Sequence, residues 1–178
     1  VYKRGFNRMA MLLESKLQRF KDRKRFKLIV KKINANLGIG QEAKKINLYL
    51  LDGSKLNLDM LKGKVVLIDF WAQWCPPCIK EINHMKSYYP ELKKKGFEIL
   101  AISLDTNRQK FQAFLKKNRD INWLLACTFE GWKTEAVKTY QITGIPSVWL
   151  IDRKGVLRYF NLRGKALINR IRTLLDEV

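Results

Sequence analysis

The chain has 178 residues, 47% of them hydrophobic and 29% charged, a balance that excludes a disordered segment and allows one good core plus an extension. No run approaches the ~18 apolar residues of a membrane span, and three cysteines are too few for a disulfide scaffold. The net charge of +20 draws nucleic acid, anionic lipid or acidic partners alike, but no zinc finger, RNP-type signature or helix-turn-helix accompanies it, so specific nucleic-acid binding is not expected.

The basic excess is densest at the start, where residues 1–40 hold 12 Lys/Arg and 2 acids. Residues 6–33 are expected to be helical: Met9, Leu12, Leu13, Leu17 and Phe20 recur on one face, which shifts at Phe26, Ile29, Val30 and Ile33. Residues 34–40 read as a linker because Asn34, Asn36, Gly38 and Gly40 punctuate them. Residues 1–39 are therefore expected to form a basic helical extension, or the tail of an upstream domain, with a second unit over residues 40–178.

From residue 46 the pattern changes to strands. Residues 47–51 and 55–58 flank Asp52-Gly53-Ser54, a short hairpin in which Asp-Gly supplies the positive-φ position. Residues 65–70 are apolar but for Asp69, as in a central strand covered on both faces. A helix is predicted from about Pro76 to Lys95, stopping at Gly96 in a left-handed C′ position. A strand over 97–104 follows, and Thr106-Asn107-Arg108-Gln109 has capping-box spacing for a helix through about Asn118. Next come a short strand near 123–127, a helix over 134–140, a hairpin of 147–152 and 156–160, and a closing helix over 166–177. Strands alternating with helices, then a terminal hairpin and helix, predict an α/β fold: a mixed sheet flanked by helices.

Cys75 and Cys78 are spaced as a C-x-x-C pair at the start of the predicted helix. That position puts the first sulfur near unpaired N–H groups and the positive end of the helix dipole, both of which stabilise the nucleophilic thiolate. Pro76 suits the first helical position, where its missing N–H costs nothing. Cys78, one turn in, is expected to be shielded yet able to bond to Cys75, giving an exposed attacker and a buried resolver. Two alternatives stand beside this: a zinc site of Cys75, Cys78, Cys127 and His84, and a purely structural disulfide. The zinc alternative lacks a second C-x-x-C or an H-x-x-x-H. A peroxidatic cysteine in a P-x-x-x-[ST]-x-x-C frame is set aside, since position 72 is Ala and position 68 is Ile. Asp69 inside an apolar strand should have a raised pKa, as a proton shuttle requires; the alternative is a strand-end Asp open to water. Cys127 is expected to be a small buried hydrophobe, and His84 to lie on the helix surface.

Residues 65–78, Val-Val-Leu-Ile-Asp-Phe-Trp-Ala-Gln-Trp-Cys-Pro-Pro-Cys, closely resemble the active-site strand and helix of the thioredoxin superfamily. Gly40-Gln41-Glu42-Ala43, Leu51-Asp52-Gly53, Leu61-Lys62-Gly63-Lys64, Ile79-Lys80-Glu81, the run Tyr140 to Ser147 and Ile151-Asp152-Arg153-Lys154-Gly155 resemble its TlpA/ResA-like branch. The resemblance covers residues 40–178 and implies a thioredoxin-like sheet and thiol–disulfide oxidoreductase activity. It implies that Cys75 is the nucleophile and Cys78 the resolving thiol. Pro146 would be a cis-proline, with Ile145 offering backbone groups to an extended substrate. Asp69 would be the buried carboxylate that accepts a proton as Cys78 is activated, Glu81 an acidic residue near the site, and Trp74 the tryptophan that caps it. It further implies protein disulfides as substrates, an upstream dithiol donor, no bound cofactor and no metal. An extracytoplasmic setting, with a membrane tether upstream of Val1, is the family's usual arrangement. Tryparedoxins share the Trp-Cys-Pro-Pro-Cys string, so a tryparedoxin-like electron carrier is one alternative; Glu81 and Gly144-Ile145-Pro146 favour the bacterial branch. A redox-inert binding module with a basic partner surface is the other. Pro76-Pro77 departs from the commoner Gly-Pro pair: neither proline has an N–H for the Cys75 thiolate, which predicts a reductant and not an oxidant.

Overall fold

The computed structural model describes residues 38–177. The helix expected over residues 6–33, and with it most of the extension, lies outside the described residues.

The hairpin forms as expected from β1 (Asn47–Tyr49) and β2 (Lys55–Asn57). Its turn is held by Ser54, whose N–H and hydroxyl both donate to Asp52 Oδ1. A single 3-10 turn, Leu58–Leu61, follows and packs Leu58 and Leu61 inward. Then come β3 (Val65–Trp71), α1 (Pro76–Lys94), β4 (Phe97–Ser103), α2 (Arg108–Lys117) and β5 (Leu124–Cys127). The chain closes with α3 (Glu135–Thr139), β6 (Ser147–Ile151), β7 (Leu157–Phe160) and α4 (Gly164–Asp176).

The main sheet has the order β5-β4-β3-β6-β7. β3 is central, parallel to β4 from Val65↔Phe97 to Trp71↔Ser103 and antiparallel to β6 from Val66↔Ile151 to Phe70↔Ser147. Alternation along β3 sorts the two layers. Trp71 points to α2, meeting Phe111 and Phe114 at 6.0 and 5.4 Å between ring centres. Phe70 points the other way, to Tyr140 just after α3, at 5.8 Å. Helices α1, α2 and α4 thus cover one face, where Lys86 of α1 pairs with Asp120 beyond α2 at 2.8 Å. The opposite face holds α3 and the segment before β1, joined by Tyr140 Oη donating to Lys44 O and Lys44 Nζ to Thr139 O. Phe70, Trp71, Ile68, Ile99, Leu100 and Ile102 are essentially sealed from water; each such side chain contributes roughly 1.5–3 kcal/mol by burial.

Both sheet edges are covered, which blocks edge-to-edge pairing. Leu51 N–H donates to Leu125 O beside β5, while Gly40 N–H donates to Leu157 O beside β7. Gly40, expected to be linker, is therefore bonded into the fold. Arg153 ties three carbonyls together: Gly63 O, Lys95 O and Leu175 O. Gly96 has φ +94°, which favours glycine, and a Cβ there would stand 2.8 Å from Arg153 Nη1 and push the guanidinium off these carbonyls.

Two helix starts differ from expectation, those of α2 and α4. Asn107, not Thr106, caps α2, its Oδ1 accepting from Lys110 N–H. Helix α1 runs through Pro90 as expected, and the solvent-facing position of Pro90 leaves the missing hydrogen bond open to water. Helix α4 starts at Gly164, two residues early, because its first N–H finds a side-chain acceptor described below.

Candidate active site

Cys75 and Cys78 are joined by a disulfide of 2.07 Å, with Cα atoms 5.2 Å apart. Cys75 is the N-cap of α1 and Pro76 and Pro77 fill its first two positions. An N-cap side chain ordinarily accepts from the second or third helical N–H. Here the second position is Pro77, which has none, and the third N–H, that of Cys78, donates to Cys75 O at 2.9 Å. The Cys75 sulfur accordingly accepts no capping hydrogen bond. Cys78 is 1% exposed, as expected of a shielded partner, but Cys75 is only 5% exposed. The exposed attacker read from the sequence is thus corrected for the disulfide form, in which the Cys75 sulfur is turned onto Cys78.

The loop leading into the pair is held by a residue that sequence patterns did not single out. Asp105, fully buried at the end of β4, accepts from Gln73 N–H at 3.0 Å and from Ser103 Oγ at 2.7 Å through Oδ2. Leu104 N–H donates to Trp71 O at 2.7 Å and completes the clamp. Trp74, at the tip of that loop, is 51% exposed beside the cysteines, whereas Trp71 belongs to the core.

Ile145–Pro146 is a cis peptide. Since Ser147 pairs with Phe70, Pro146 leaves the sheet at the same end as the loop to Cys75. Its carbonyl accepts from Arg163 Nη2 at 2.5 Å, and the same nitrogen reaches Asn161 Oδ1 at 3.2 Å. Asn161, at φ +56°, also closes a two-bond bridge to Val148: its N–H donates to Val148 O, and Val148 N–H donates to Asn161 Oδ1. Ile145 packs half-buried against the core.

Asp69 lies on the helix-covered face of β3, the face of Trp71. Burial pushes its carboxyl from the ordinary 3.8 up to about 7; the Arg163 guanidinium pulls it down and Glu81 adds to the rise. Asp69 nonetheless keeps partial access to water, so the water-open alternative holds in part beside the raised pKa. Glu81, one turn beyond Cys78, is half-buried and its Oε2 accepts from Gly164 N–H at 3.1 Å. It is therefore not an ordinary solvated helix residue. Arg163 is itself held below its usual pKa by burial, against the pull of Asp69 and Glu81.

The raised carboxyl has a consequence for stability. Between about pH 4 and pH 7 an unfolded chain releases the Asp69 proton while the folded chain retains it. Its stabilising effect is complete below about pH 4 and is lost as pH rises to about 7, a cost of at most roughly 4 kcal/mol. Asp69→Asn is expected to be more stable than the parent at pH 8 and little changed at pH 4, by urea unfolding of the oxidised protein. An equal difference at both pH values would contradict the raised pKa.

His84 is half-buried, its ring edge-on to Tyr88 at 5.1 Å. Cys127 is half-buried at the end of β5, and burial raises its thiol pKa. Among the described residues no group of three or more His, Cys, Asp or Glu is arranged to hold a metal ion. Trp123 and Trp149 are core residues, while Trp132 is exposed.

A mixed sheet with a cysteine pair heading its first long helix, and a cis-proline at the same sheet end, defines a protein of the thioredoxin fold. The chain belongs to the AhpC/TSA family, whose pattern matches residues 39–160. Among curated relatives, thiol-disulfide oxidoreductase ResA of Bacillus thuringiensis subsp. konkukian is 38% identical over 117 residues, 66% of this chain and 65% of that protein. ResA of Bacillus subtilis is 28% identical over 116 residues, 65% of this chain and 63% of that protein. The match thus spans just under two thirds of these relatives' length. The thioredoxin domain of a thiol-disulfide oxidoreductase from Bacteroides vulgatus superposes with a TM-score of 0.71 at 28% identity, covering 79% of this chain and 99% of that one. A thiol-disulfide oxidoreductase from Bacteroides fragilis gives 0.68 at 30% identity, covering 75% and 99%. The TlpA/ResA-like resemblance and the thioredoxin-like mixed sheet are both borne out.

Proposed function

We propose that this protein is a thiol–disulfide oxidoreductase that reduces protein disulfides through the Cys75–Cys78 dithiol. The observation that carries the reading is the disulfide at the head of α1, on a fold shared with proteins named for that activity. In the reduced form the Cys75 thiolate attacks one sulfur of a substrate disulfide; the substrate S–S bond breaks and its other sulfur leaves as a thiolate, taking up a proton. Cys78 then gives its proton to ionised Asp69 and attacks the Cys75 sulfur. The mixed disulfide breaks, the second substrate thiol departs with a proton, and the Cys75–Cys78 bond re-forms. The substrate has gained two electrons and two protons, and an upstream dithiol protein restores the enzyme pair.

Carboxyl chemistry suits that second step. With a pKa of about 7, Asp69 exists in both protonation states near neutral pH and can take a proton and pass it on. Ile145 and Pro146 would receive the substrate as an extended strand, and exposed Trp74 would bound its path. Residues 1–39 would be an extension separate from the 40–178 unit, and an extracytoplasmic setting with a tether upstream of Val1 would match the usual arrangement of the branch. Among the described residues no helix is long and apolar enough to cross a membrane.

The test is a redox titration in graded thiol/disulfide buffers, followed by tryptophan fluorescence and by mass spectrometry after alkylation. A reversible two-electron transition near or below about −230 mV is expected, the thioredoxin to glutaredoxin side of the scale. A value near about −120 mV would make the protein an oxidant. A pair that does not cycle would leave the redox-inert binding module as the function.

A further inference from the structure

Arg163 bridges two parts of the site that come from distant stretches of chain. Its Nη2 donates to the carbonyl of cis-Pro146, and its charge faces Asp69 on β3 and Glu81 on α1. Glu81 in turn grips the next residue, accepting from Gly164 N–H at 3.1 Å. Gly164 has φ +52°, so the turn that presents this N–H is one that glycine adopts without strain.

We propose that Arg163 is a positioning residue for disulfide exchange: its guanidinium fixes the cis-proline loop for the incoming substrate strand and supplies the positive charge that Asp69 and Glu81 share. The proposal rests on the oxidoreductase function put forward above. Even a half-buried guanidinium loses hydration, and an apolar side chain of like volume would pack without that cost. What arginine offers is a planar fork with several donors and a permanent charge. Both are used here: the fork reaches Pro146 O, Asn161 Oδ1 and Leu162 O, while the charge faces the two carboxyl groups from a half-buried position.

The surroundings of Asp69 leave Arg163 as its source of positive charge among the described residues. Its register neighbours, Ala101 on β4 and Val148 on β6, are uncharged. From α1 it faces Glu81, and from the start of α4 it faces Arg163. Without the cation, burial and Glu81 would act together to keep Asp69 protonated. Asp69 would then hold its own proton when Cys78 needed an acceptor.

Two variants separate the donor from the charge. Arg163→Lys keeps the charge and loses the fork; Arg163→Gln keeps a donor and loses the charge. The Asp69 carboxyl is titrated by carbon-13 NMR in each oxidised protein. Its midpoint is expected to rise by about one pH unit in Arg163→Gln and to stay near the parent value in Arg163→Lys. In steady-state reduction of a protein disulfide, the acid limb of the pH–rate profile should move with the carboxyl in Arg163→Gln. Arg163→Lys should raise KM by about fivefold, the worth of one hydrogen bond. An Asp69 midpoint unmoved in Arg163→Gln, or losses of rate that follow thermal stability with no shift in pH profile, would overturn the proposal. The carboxyl titration needs no turnover, so a parent protein unable to reduce disulfides would defeat the oxidoreductase reading while leaving the Arg163–Asp69 coupling measured.

Discussion

Cys75→Ser is expected to reduce disulfide exchange to background, a loss on the order of 10³-fold or more, while Cys78→Ser stalls one step later as a covalent adduct with its substrate. The two outcomes differ because the sulfurs differ in place. Cys75 caps α1 at its positive end, where a thiolate is favoured. Cys78 lies one turn deeper at 1% exposure and can reach little besides the Cys75 sulfur. Serine at 75 removes the nucleophile, so no adduct forms. Serine at 78 leaves the first attack intact and removes the group that would release the substrate. The adduct should appear by mass spectrometry as one substrate bound per protein and disappear with dithiothreitol. An adduct on Cys75→Ser would reverse the two roles. Parent-like turnover by Cys78→Ser would remove the resolving step altogether.

What could be read from sequence here is what lies close together in it. Residues 65–78 carry a strand, a loop and a capped helix in one run, and each gives a local signal: apolar continuity, paired cysteines, proline at the first helical position. The Asp-Gly hairpin and the stop at Gly96 are local in the same sense. The raised pKa of Asp69 was also legible, because a carboxylate set in an apolar strand loses much of its hydration even where some water still reaches it. Arg163 was not legible. Its partners are 17 residues away at Pro146 and, through Gly164, 83 residues away at Glu81, and nothing in Asn161-Leu162-Arg163-Gly164 announces either contact. Asp105 escaped notice for the same reason: its acceptor role depends on Gln73, 32 residues earlier. The exposure expected of Cys75 failed on a different count. Spacing tells which sulfur heads the helix, but not how far disulfide formation turns that sulfur inward.

Pro77→Ala is expected to shift the Cys75–Cys78 couple toward oxidant by about 30 mV, which corresponds to about 1.4 kcal/mol for a two-electron couple and lies near the lower end of what a hydrogen bond to a charged group contributes. The geometry at the head of α1 gives the reason. Cys75 occupies the N-cap, Pro77 blocks the second-position N–H, and the Cys78 N–H is spent on Cys75 O. Alanine at 77 restores one N–H that can point at the Cys75 sulfur without altering the cysteine spacing. A hydrogen bond to the thiolate stabilises the reduced form but not the disulfide, so the potential must rise. The Cys75 thiol pKa should fall by about one unit in the same variant, read from the pH dependence of alkylation. Pro76→Ala is the control: the first helical N–H lies outside the usual capping set, so a much smaller change is expected. Equal shifts at 76 and 77 would mean that backbone stiffness at the head of α1, and not the missing donor, sets the potential. A parent potential already near about −120 mV would show that the thiolate finds its stabilisation elsewhere, in the helix dipole alone or in a charge that acts across the site.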